Sequence, residues 1–267
     1  VRKQRKINAK IIARAHRYDI YEDLDSTQLF WPYRLKTIEQ IDAIFVISSD
    51  GKDYLERKYP SALSNIQVSK LGVTDRGYTA KSSDQDVLNI VSVSRVHLVK
   101  RVDLIYRSVA EFATLYPEKE VRWTHFGDGP ELREIRLSAL SKPSNMSTVF
   151  KGNVANTAVY AHYTDEPVDV FINLSSSEGI PVSIMEAISF GIPAIATNVG
   201  GNAEIVVAQT GMLLEEHPTT TAVASALGAV LIDKIVEKSQ IKQYYLDNYN
   251  AERNYEQFSE SVVKLIS

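Results

Sequence analysis

From about residue 87 onward, short apolar runs alternate along the chain with stretches of helical periodicity. Five runs rich in β-branched residues predict buried strands: VLNIVSVS (87–94), VRWTHF (121–126), STVFKG (147–152), DVFINLS (169–175) and IPAIAT (192–197). Between the first two runs, apolar residues recur at helical spacing from Val102 to Tyr116. Because strand and helix alternate in this way in βαβ units, the sequence predicts an α/β fold with a doubly wound parallel sheet.

The beginning of the chain carries a shorter version of this pattern. The segment KINAKIIARA (6–15) ends in a predicted short strand. The runs DAIFVISS (42–49) and NIQVSKLGV (65–73) predict two more strands, and helical segments separate the three. This amounts to about two βαβ steps, fewer than the ~5 strands of a typical sheet. We therefore expect four regions: an incomplete first domain (1–76), a polar linker (77–86), a second domain (87–250) and a terminal helix (251–267).

Composition narrows the functional class. A net charge of −3 gives no bias toward nucleic acid, and the absence of cysteine excludes disulfides and thiol catalysis. A chain without cysteine also fits a reducing, cytoplasmic compartment. The longest apolar stretch, residues 222–232, is shorter than the ~18–20 residues that span a bilayer. The basic start, from Arg2 to Arg17, predicts either a solvated helix or a peripheral contact with anionic lipids at the cytoplasmic membrane face.

Two acidic residues stand out in the segment SSSEGIPVSIMEAISFG. Glu186 is flanked by apolar residues, where a buried carboxylate needs hydrogen-bond donors, and a ribose diol offers two of them side by side. Glu178 lies just after a predicted strand, at the edge where parallel sheets bind ligands. The alternative is that Glu186 shares a solvated helical stripe with Ser183 and Ser189, and that Glu178 is an exposed loop acid.

Two cations follow the first strand of the second domain. Arg95 ends that strand and Lys100 opens the next helix, so together they could bind a diphosphate. Fixed cations there would stabilise the negative charge that grows on a leaving diphosphate. A solvated lysine and a strand-end arginine are the alternative interpretation.

Several turns lie at the predicted carboxyl ends of strands. Gly127 and Gly129 flank Asp128, the turn from Lys151 to Val154 ends another strand, and Gly200 and Gly201 end a third. Such turns let backbone approach a ligand, but many purely structural turns look the same.

Other residues carry weaker signals. His16 ends a predicted strand and could face a transferred sugar, although a single histidine is more often structural. The acidic pairs Asp23/Asp25 and Asp84/Asp86 lack a clear strand before them, so we expect no metal site.

The second domain resembles the family-4 retaining glycosyltransferases of the GT-B fold, which is built from two Rossmann-like domains. The resemblance rests on SVSRVHLVKRVDLI, HFGDGPELREI, FKGNV and, above all, SSSEGIPVSIMEAISFGIPAIATNVGGNAEIV, which carries the two glutamates. It extends loosely back through ARAHRYD and AIFVISSDGKDYL. Residues 87–250 would be the nucleotide-sugar-binding domain, and residues 1–76 the remnant of the acceptor-side domain.

The resemblance also implies roles for matching positions. Glu178, His16, Arg95 and Lys100 would form the catalytic group, and Glu186 would hold the ribose. The remaining donor-binding positions implied by the family are Gly127, Gly129, Lys151, Gly152, Asn153, Val154, Gly179 and Ile180. The donor would be a nucleoside diphosphate sugar of the UDP or GDP type, with no metal and no other cofactor.

The implied reaction is transfer of the sugar, with retention, to a glycan, lipid-linked or small acceptor in the synthesis of surface polysaccharide or glycoconjugate. Because the first domain is incomplete in this chain, the transfer activity is expected of the intact protein. Two alternatives stay open: a nucleotide-sugar binding module, and a GT-B sugar-nucleotide epimerase. An epimerase would convert the donor with no acceptor present.

Overall fold

The structure, a computed structural model, describes residues 9–22, 33–60 and 65–266. The strands are β1 (Ile12–Ala15), β2 (Ala43–Val46), β3 (Ile66–Val68), β4 (Val87–Val93), β5 (Glu120–Phe126), β6 (Met146–Gly152), β7 (Val170–Asn173), β8 (Ala194–Thr197) and β9 (Gly211–Leu214). The α-helices are α1 (Arg17–Ile20), α2 (Arg34–Ile38), α3 (Ser49–Lys58), α4 (Val102–Leu115), α5 (Leu132–Ser138), α6 (Asn156–Asp165), α7 (Val182–Ser189), α8 (Asn202–Ile205), α9 (Thr220–Leu231), α10 (Lys238–Asn248) and α11 (Ala251–Ile266). Short 3₁₀ turns span Leu98–Lys100 and Ala139–Ser141.

The chain divides into two compact units. The first comprises Val1–Gly72 with Asn250–Ser267, and the second comprises Val73–Tyr249. The predicted regions end at residues 76, 86 and 250 and are defined by their roles. They stay a prediction, since compactness alone does not assign a role to a unit.

The first unit contains a three-stranded parallel sheet in the order β1-β2-β3. Helix α11 belongs to this unit and places Phe258 edge-on against Phe45 of β2, with ring centroids 5.0 Å apart. The side-chain amide of Asn254 donates to the carbonyl oxygen of Leu71 at 2.8 Å. The end of the chain is therefore packed on the strands near its beginning.

The second unit contains a six-stranded sheet in the order β6-β5-β4-β7-β8-β9, with every neighbouring pair parallel. This is the doubly wound, Rossmann-like order, in which the direction of strand addition reverses between β4 and β7. The predicted α/β class is confirmed. The carboxyl ends of β4 and β7 meet at the reversal, which is where sheets of this kind bind ligands.

The strands of this sheet are buried because helices cover both faces. Val170, Phe171, Ala194 and Ile195 are each 0% exposed, which explains why these short runs are apolar without alternation. All five predicted strands are present. The pattern does not predict β9, since GMLL contains no β-branched residue, nor α6, whose sequence lacks a continuous apolar face.

The polar segment 77–86 packs within the second unit. The amide of Ala80 donates to the carbonyl of Phe190 at 2.8 Å, and Ser83 and the amide of Asn89 both donate to the carboxylate of Asp169. Its polar groups thus form hydrogen bonds with backbone and side-chain groups at the amino-terminal end of the sheet.

No helix among residues 9–22, 33–60 and 65–266 is both long and apolar enough to cross a bilayer.

Candidate active site

The candidate site lies where the segments after β4 and β7 come together at the reversal of the sheet. The amide of Ser176 donates to the carbonyl of Val99 at 2.8 Å, so the two segments are joined directly. Lys100 ends the 3₁₀ turn of the first segment, and Glu178 lies in the second. The predicted site residues Lys100 and Glu178 therefore belong to one constellation.

Glu178 is a buried carboxylate with its donors on one oxygen. Its Oε1 accepts from Lys100 Nζ at 2.6 Å, Ser175 Oγ at 2.7 Å and Asn173 Nδ2 at 3.1 Å. Its exposed fraction is 9%, so the interpretation as an exposed loop acid is wrong. No donor within the described part of the chain reaches Oε2, which leaves that oxygen able to accept from a ligand.

Glu186 is also buried, in the middle of α7, with an exposed fraction of 5%. Its Oε1 accepts from Asn156 Nδ2 at 2.7 Å and from the Tyr160 hydroxyl at 2.9 Å, both on α6. Ser189, on the same stripe, is 3% exposed, so a solvated stripe is wrong as well. As far as the chain is described, no donor contacts the second oxygen of Glu186.

The donors of the two carboxylates differ in charge. Glu178 is paired with the ammonium group of Lys100, whereas Asn156 and Tyr160 are neutral. Burial, and then the nearby Glu186, raise the pKa of Tyr160 to about 12, so its hydroxyl keeps its proton near neutral pH. Glu186 is thus a buried carboxylate that its hydrogen-bonding partners do not neutralise.

Arg95 and Lys100 occupy different surroundings. The Lys100 side chain is 27% exposed and points to Glu178, whereas Arg95 is exposed at the end of β4. Both lie in the segment that follows β4. Arg95 also lines the adjoining cleft, so a phosphate group could reach it there.

A cleft of about 750 Å³ opens beside these residues, over the carboxyl ends of β4, β5 and β6. It is lined mainly by the turns after these strands and includes Gly127, Gly129, Asn153 and Val154. Arg95 and Asp128 are the charged residues that line it, Ser94 and Asn153 are polar, and the other lining residues are glycine or apolar. A flat, uncharged group such as a nucleobase suits such walls.

The glycines of this cleft are needed by the fold itself. A Cβ on Gly127, whose φ is +140°, would lie 1.8 Å from the carbonyl oxygen of Ser94, and one on Gly129 would lie 2.0 Å from that of Val96. Gly152 has φ of +70° but open space around it, and its carbonyl accepts from the amide of Gly127 at 2.8 Å. The turns therefore hold one another as well as framing the cleft.

Gly200 and Gly201 are also needed by the fold, because they contact the loop that carries Glu178. A Cβ on Gly200 would lie 2.1 Å from the carbonyl oxygen of Glu178. The amide of Gly201 donates to the carbonyl of Gly179 at 2.7 Å, and Ile180 packs on Gly201. The loop of Glu178, Gly179 and Ile180 can lie in its position because residues 200 and 201 have no side chains.

A buried histidine supports the cleft from below. His125 is 0% exposed, and its Nδ1 lies 2.8 Å from Ser92 Oγ. The indole N–H of Trp123 donates to the same hydroxyl oxygen at 2.9 Å. Burial lowers the pKa of His125 to about 4, with a smaller opposing effect from the backbone of Ser94. His125 is therefore neutral at pH 7. A Cβ on Gly127 would lie 3.2 Å from its Nε2.

The remaining predicted residues lie in other segments of the chain or outside the described ranges. His16 follows β1 in the first unit, where its amide donates to Asp19 Oδ2 at 2.9 Å. Lys151 is exposed near the end of β6. Asp23, Asp25 and the basic residues 2–6 fall outside the described residues, and Asp86 pairs with Lys119 at 3.3 Å. Within the described residues, no three His, Asp or Glu side chains group as metal ligands do.

Sequence reasoning missed the residues that orient the two glutamates. Asn173 and Ser175 precede Glu178 in the run INLSSSEG, and their polar character at the end of a buried strand was the available signal. Asn156 and Tyr160 are four residues apart, which places them on one helical face, but only the tertiary structure shows that this face meets α7.

The chain is similar to known proteins in both sequence and fold. The family described as glycosyl transferases group 1 matches residues 79–247, and the chain belongs to this family. One relative is a component of the phosphatidylinositol N-acetylglucosaminyltransferase of Arabidopsis thaliana. It is 31% identical over 138 residues, which are 50% of this chain and 29% of that protein.

A second relative is the GtfA component of a UDP-N-acetylglucosamine–peptide N-acetylglucosaminyltransferase from Streptococcus pneumoniae serotype 4. It is 24% identical over 191 residues, or 69% of this chain and 36% of that protein. The chain thus spans about a third of the length of these curated relatives.

A solved structure carries the same fold. The pneumococcal O-GlcNAc transferase GtfA, in complex with UDP and GlcNAc, superposes with a TM-score of 0.71 at 19% identity. The match covers 96% of this chain and 53% of that one. The expectation of a GT-B glycosyltransferase fold with Rossmann-like domains is confirmed.

Proposed function

We propose that this chain forms the donor-binding part of a retaining glycosyltransferase that transfers a sugar from a nucleoside diphosphate. The observation that carries the proposal is the pair of buried glutamates in the loop and the helix that follow β7. Each has donors on one oxygen and keeps the other for a ligand. A buried carboxylate oxygen without a donor is costly, so the second oxygen of each glutamate favours a ligand rich in hydroxyl groups.

In this proposal the donor lies across the reversal from the cleft to Glu178. The base enters the cleft framed by Gly127, Gly129 and the turn from Lys151 to Val154, and the ribose hydroxyls donate to Glu186. Because most of the residues that line the cleft are uncharged, shape selects the base.

The diphosphate then lies at the segment after β4, near Arg95 and Lys100. Lys100 already contacts Glu178 at 2.6 Å, so a phosphate group bound to Lys100 would bring the attached sugar toward Glu178. The sugar hydroxyls donate to Glu178, and the backbone of Gly179 and Ile180 borders the sugar.

The proposed chemistry follows from this placement. The bond between the anomeric carbon and the diphosphate oxygen breaks, and the two cations stabilise the charge that develops on the leaving group. The acceptor oxygen attacks from the same face, and its proton passes to the leaving diphosphate. His16 is proposed to border the transferred sugar. No metal or other cofactor is part of this proposal.

Relatives favour a uridine donor. One relative is named for UDP-N-acetylglucosamine, another for N-acetylglucosaminyl transfer, and the similar solved structure holds UDP and GlcNAc. We therefore propose UDP-N-acetylglucosamine as the first donor to test. The acceptor is proposed to be a glycan, a lipid-linked molecule or another surface glycoconjugate precursor, reached at the cytoplasmic face of the membrane.

Calorimetric titration of the chain with UDP, GDP and ADP, with and without EDTA, tests the proposal. We expect saturable binding of UDP that survives EDTA. In Lys100→Ala, UDP affinity should fall about 10-fold or more while uridine affinity changes little, because the lost charge faces phosphate. A folded chain that binds no nucleoside diphosphate would overturn the proposal, and equal losses for UDP and uridine would remove Lys100 from the diphosphate site.

A further inference from the structure

Arg101 follows Lys100 directly and makes an unusual set of contacts. Its Nε donates to the carbonyl of Leu174 at 2.5 Å, and its Nη2 donates to the carbonyls of Ser175 at 2.7 Å and Glu216 at 2.8 Å. We propose that Arg101 is a positioning residue that holds the loop of Glu178 in place for the donor sugar. This inference rests on the proposed function and adds to it a determinant of sugar binding.

The backbone of Arg101 points to a specific role for its side chain. Its φ and ψ are +46° and +42°, the left-handed region that costs a residue with a Cβ on the order of 1 kcal/mol. Glycine would adopt this conformation freely. An arginine at this position therefore has a strained backbone. Its three hydrogen bonds to carbonyl groups offset the cost of that strain.

Arg101 is linked to Glu178 through one residue, Ser175, which forms hydrogen bonds with both. Ser175, whose carbonyl accepts from Arg101, also donates its hydroxyl to Glu178 Oε1 at 2.7 Å. The same carbonyl accepts from Thr197 Oγ1 at 2.5 Å, which ties it to the end of β8. Movement of Ser175 would therefore shift a donor of Glu178.

Lys100 and Arg101 contact different parts of this loop. Lys100 contacts the carboxylate of Glu178 itself, whereas Arg101 binds the backbone three and four residues before it. A planar guanidinium can bind several carbonyls in fixed directions, which an ammonium group cannot do. Arg101 thus sets where the loop lies, and Lys100 contributes charge.

Two substitutions of Arg101 distinguish the effect of its backbone strain from the effect of its hydrogen bonds. Arg101→Gly removes the guanidinium and relieves the left-handed backbone, so its loss of stability should be small. Arg101→Lys keeps the charge and the strain but loses the planar donors. Arg107→Lys, on the exposed face of α4 where Arg107 pairs with Asp103 at 2.9 Å, is the matched control.

Wild type is first titrated with UDP-N-acetylglucosamine and UDP-glucose to find which conjugate it binds more tightly. The affinities of each variant for UDP and for that conjugate are then compared. In both Arg101 variants we expect the sugar conjugate to lose about 10-fold in affinity and UDP less than about 3-fold, since the loop faces the sugar. Added guanidinium chloride should restore sugar affinity in Arg101→Gly, and equal sodium chloride should not.

The outcomes are distinct. Equal losses for UDP and its conjugate, or unchanged affinity in both variants, would overturn the role of Arg101 and leave the proposed function standing. Failure of folded wild type to bind UDP and both conjugates would instead overturn the proposed function, and this inference with it.

Discussion

The two halves of one sheet edge are built by different means. Over β4, β5 and β6, the cleft is framed by glycine turns and backbone, with a neutral buried histidine beneath them. Over β7 and β8, the site is built from buried carboxylates, an ammonium group and a guanidinium. Both halves lie at the carboxyl ends of strands in the same parallel sheet.

In the proposed function, the two halves would bind unlike parts of one ligand. A wall of uncharged side chains and tight glycine turns recognises shape. It has no room for a Cβ at Gly127 or Gly129, so substitutions there are sensitive to volume. A wall of charged side chains recognises hydroxyl and phosphate groups, so its sensitivity is to charge and to donor placement. Substitutions in the first half should therefore affect mainly stability, and those in the second half mainly binding.

The largest effect is expected for Gly127→Ala. Its Cβ would lie 1.8 Å from the Ser94 carbonyl oxygen at a φ of +140°, so we expect a loss of about 4 kcal/mol or complete unfolding. Gly152→Ala is the control, because open space surrounds it and left-handed strain alone costs about 1 kcal/mol. Denaturant unfolding of both variants measures the difference, and similar losses would contradict the view that this half is limited by volume.

A second effect is a loss of stability in acid through His125. The folded pKa of about 4 lies below the ordinary value of 6.5, so the unfolded chain takes up a proton first as pH falls. His125 thus contributes full stability above pH 6.5 and should lose about 3 kcal/mol of it as pH falls toward 4. Unfolding free energies of wild type and His125→Asn, measured from pH 7 to pH 4, give this contribution by difference. Parallel curves would contradict it.

A smaller effect, on binding rather than stability, is expected for Glu186→Gln. The amide keeps the shape of the side chain but removes the charge that strengthens hydrogen bonds from ribose, so UDP affinity should fall about 30-fold. Glu118→Gln, exposed before the amino end of β5, is the control and should bind UDP as wild type does. If 2′,3′-dideoxy-UDP lost as much affinity as UDP in Glu186→Gln, the ribose assignment would be wrong.

Much of the fold could be predicted because β-branched runs and helical spacing are local signals. VLNIVSVS and DVFINLS predict β4 and β7 from their own residues, and the alternation with helices indicates a parallel sheet. β9 could not be predicted this way, because GMLL begins with glycine and contains no β-branched residue. Its pairing with β8 from Ala194 to Thr197 is known only from the tertiary structure.

The sequence by itself determined which residues could carry chemistry. Acids within an apolar segment, cations after a strand and glycines at strand ends are properties of the chain, and they indicated Glu178, Glu186 and Lys100. Only the tertiary structure decided how these groups are used. It brings Lys100 to Glu178 across 78 residues, places Asn156 and Tyr160 on Glu186, and directs Arg101 to the carbonyls before Glu178. Hydrogen bonds act within about 3 Å, so their partners are known only once the strands are ordered in the sheet.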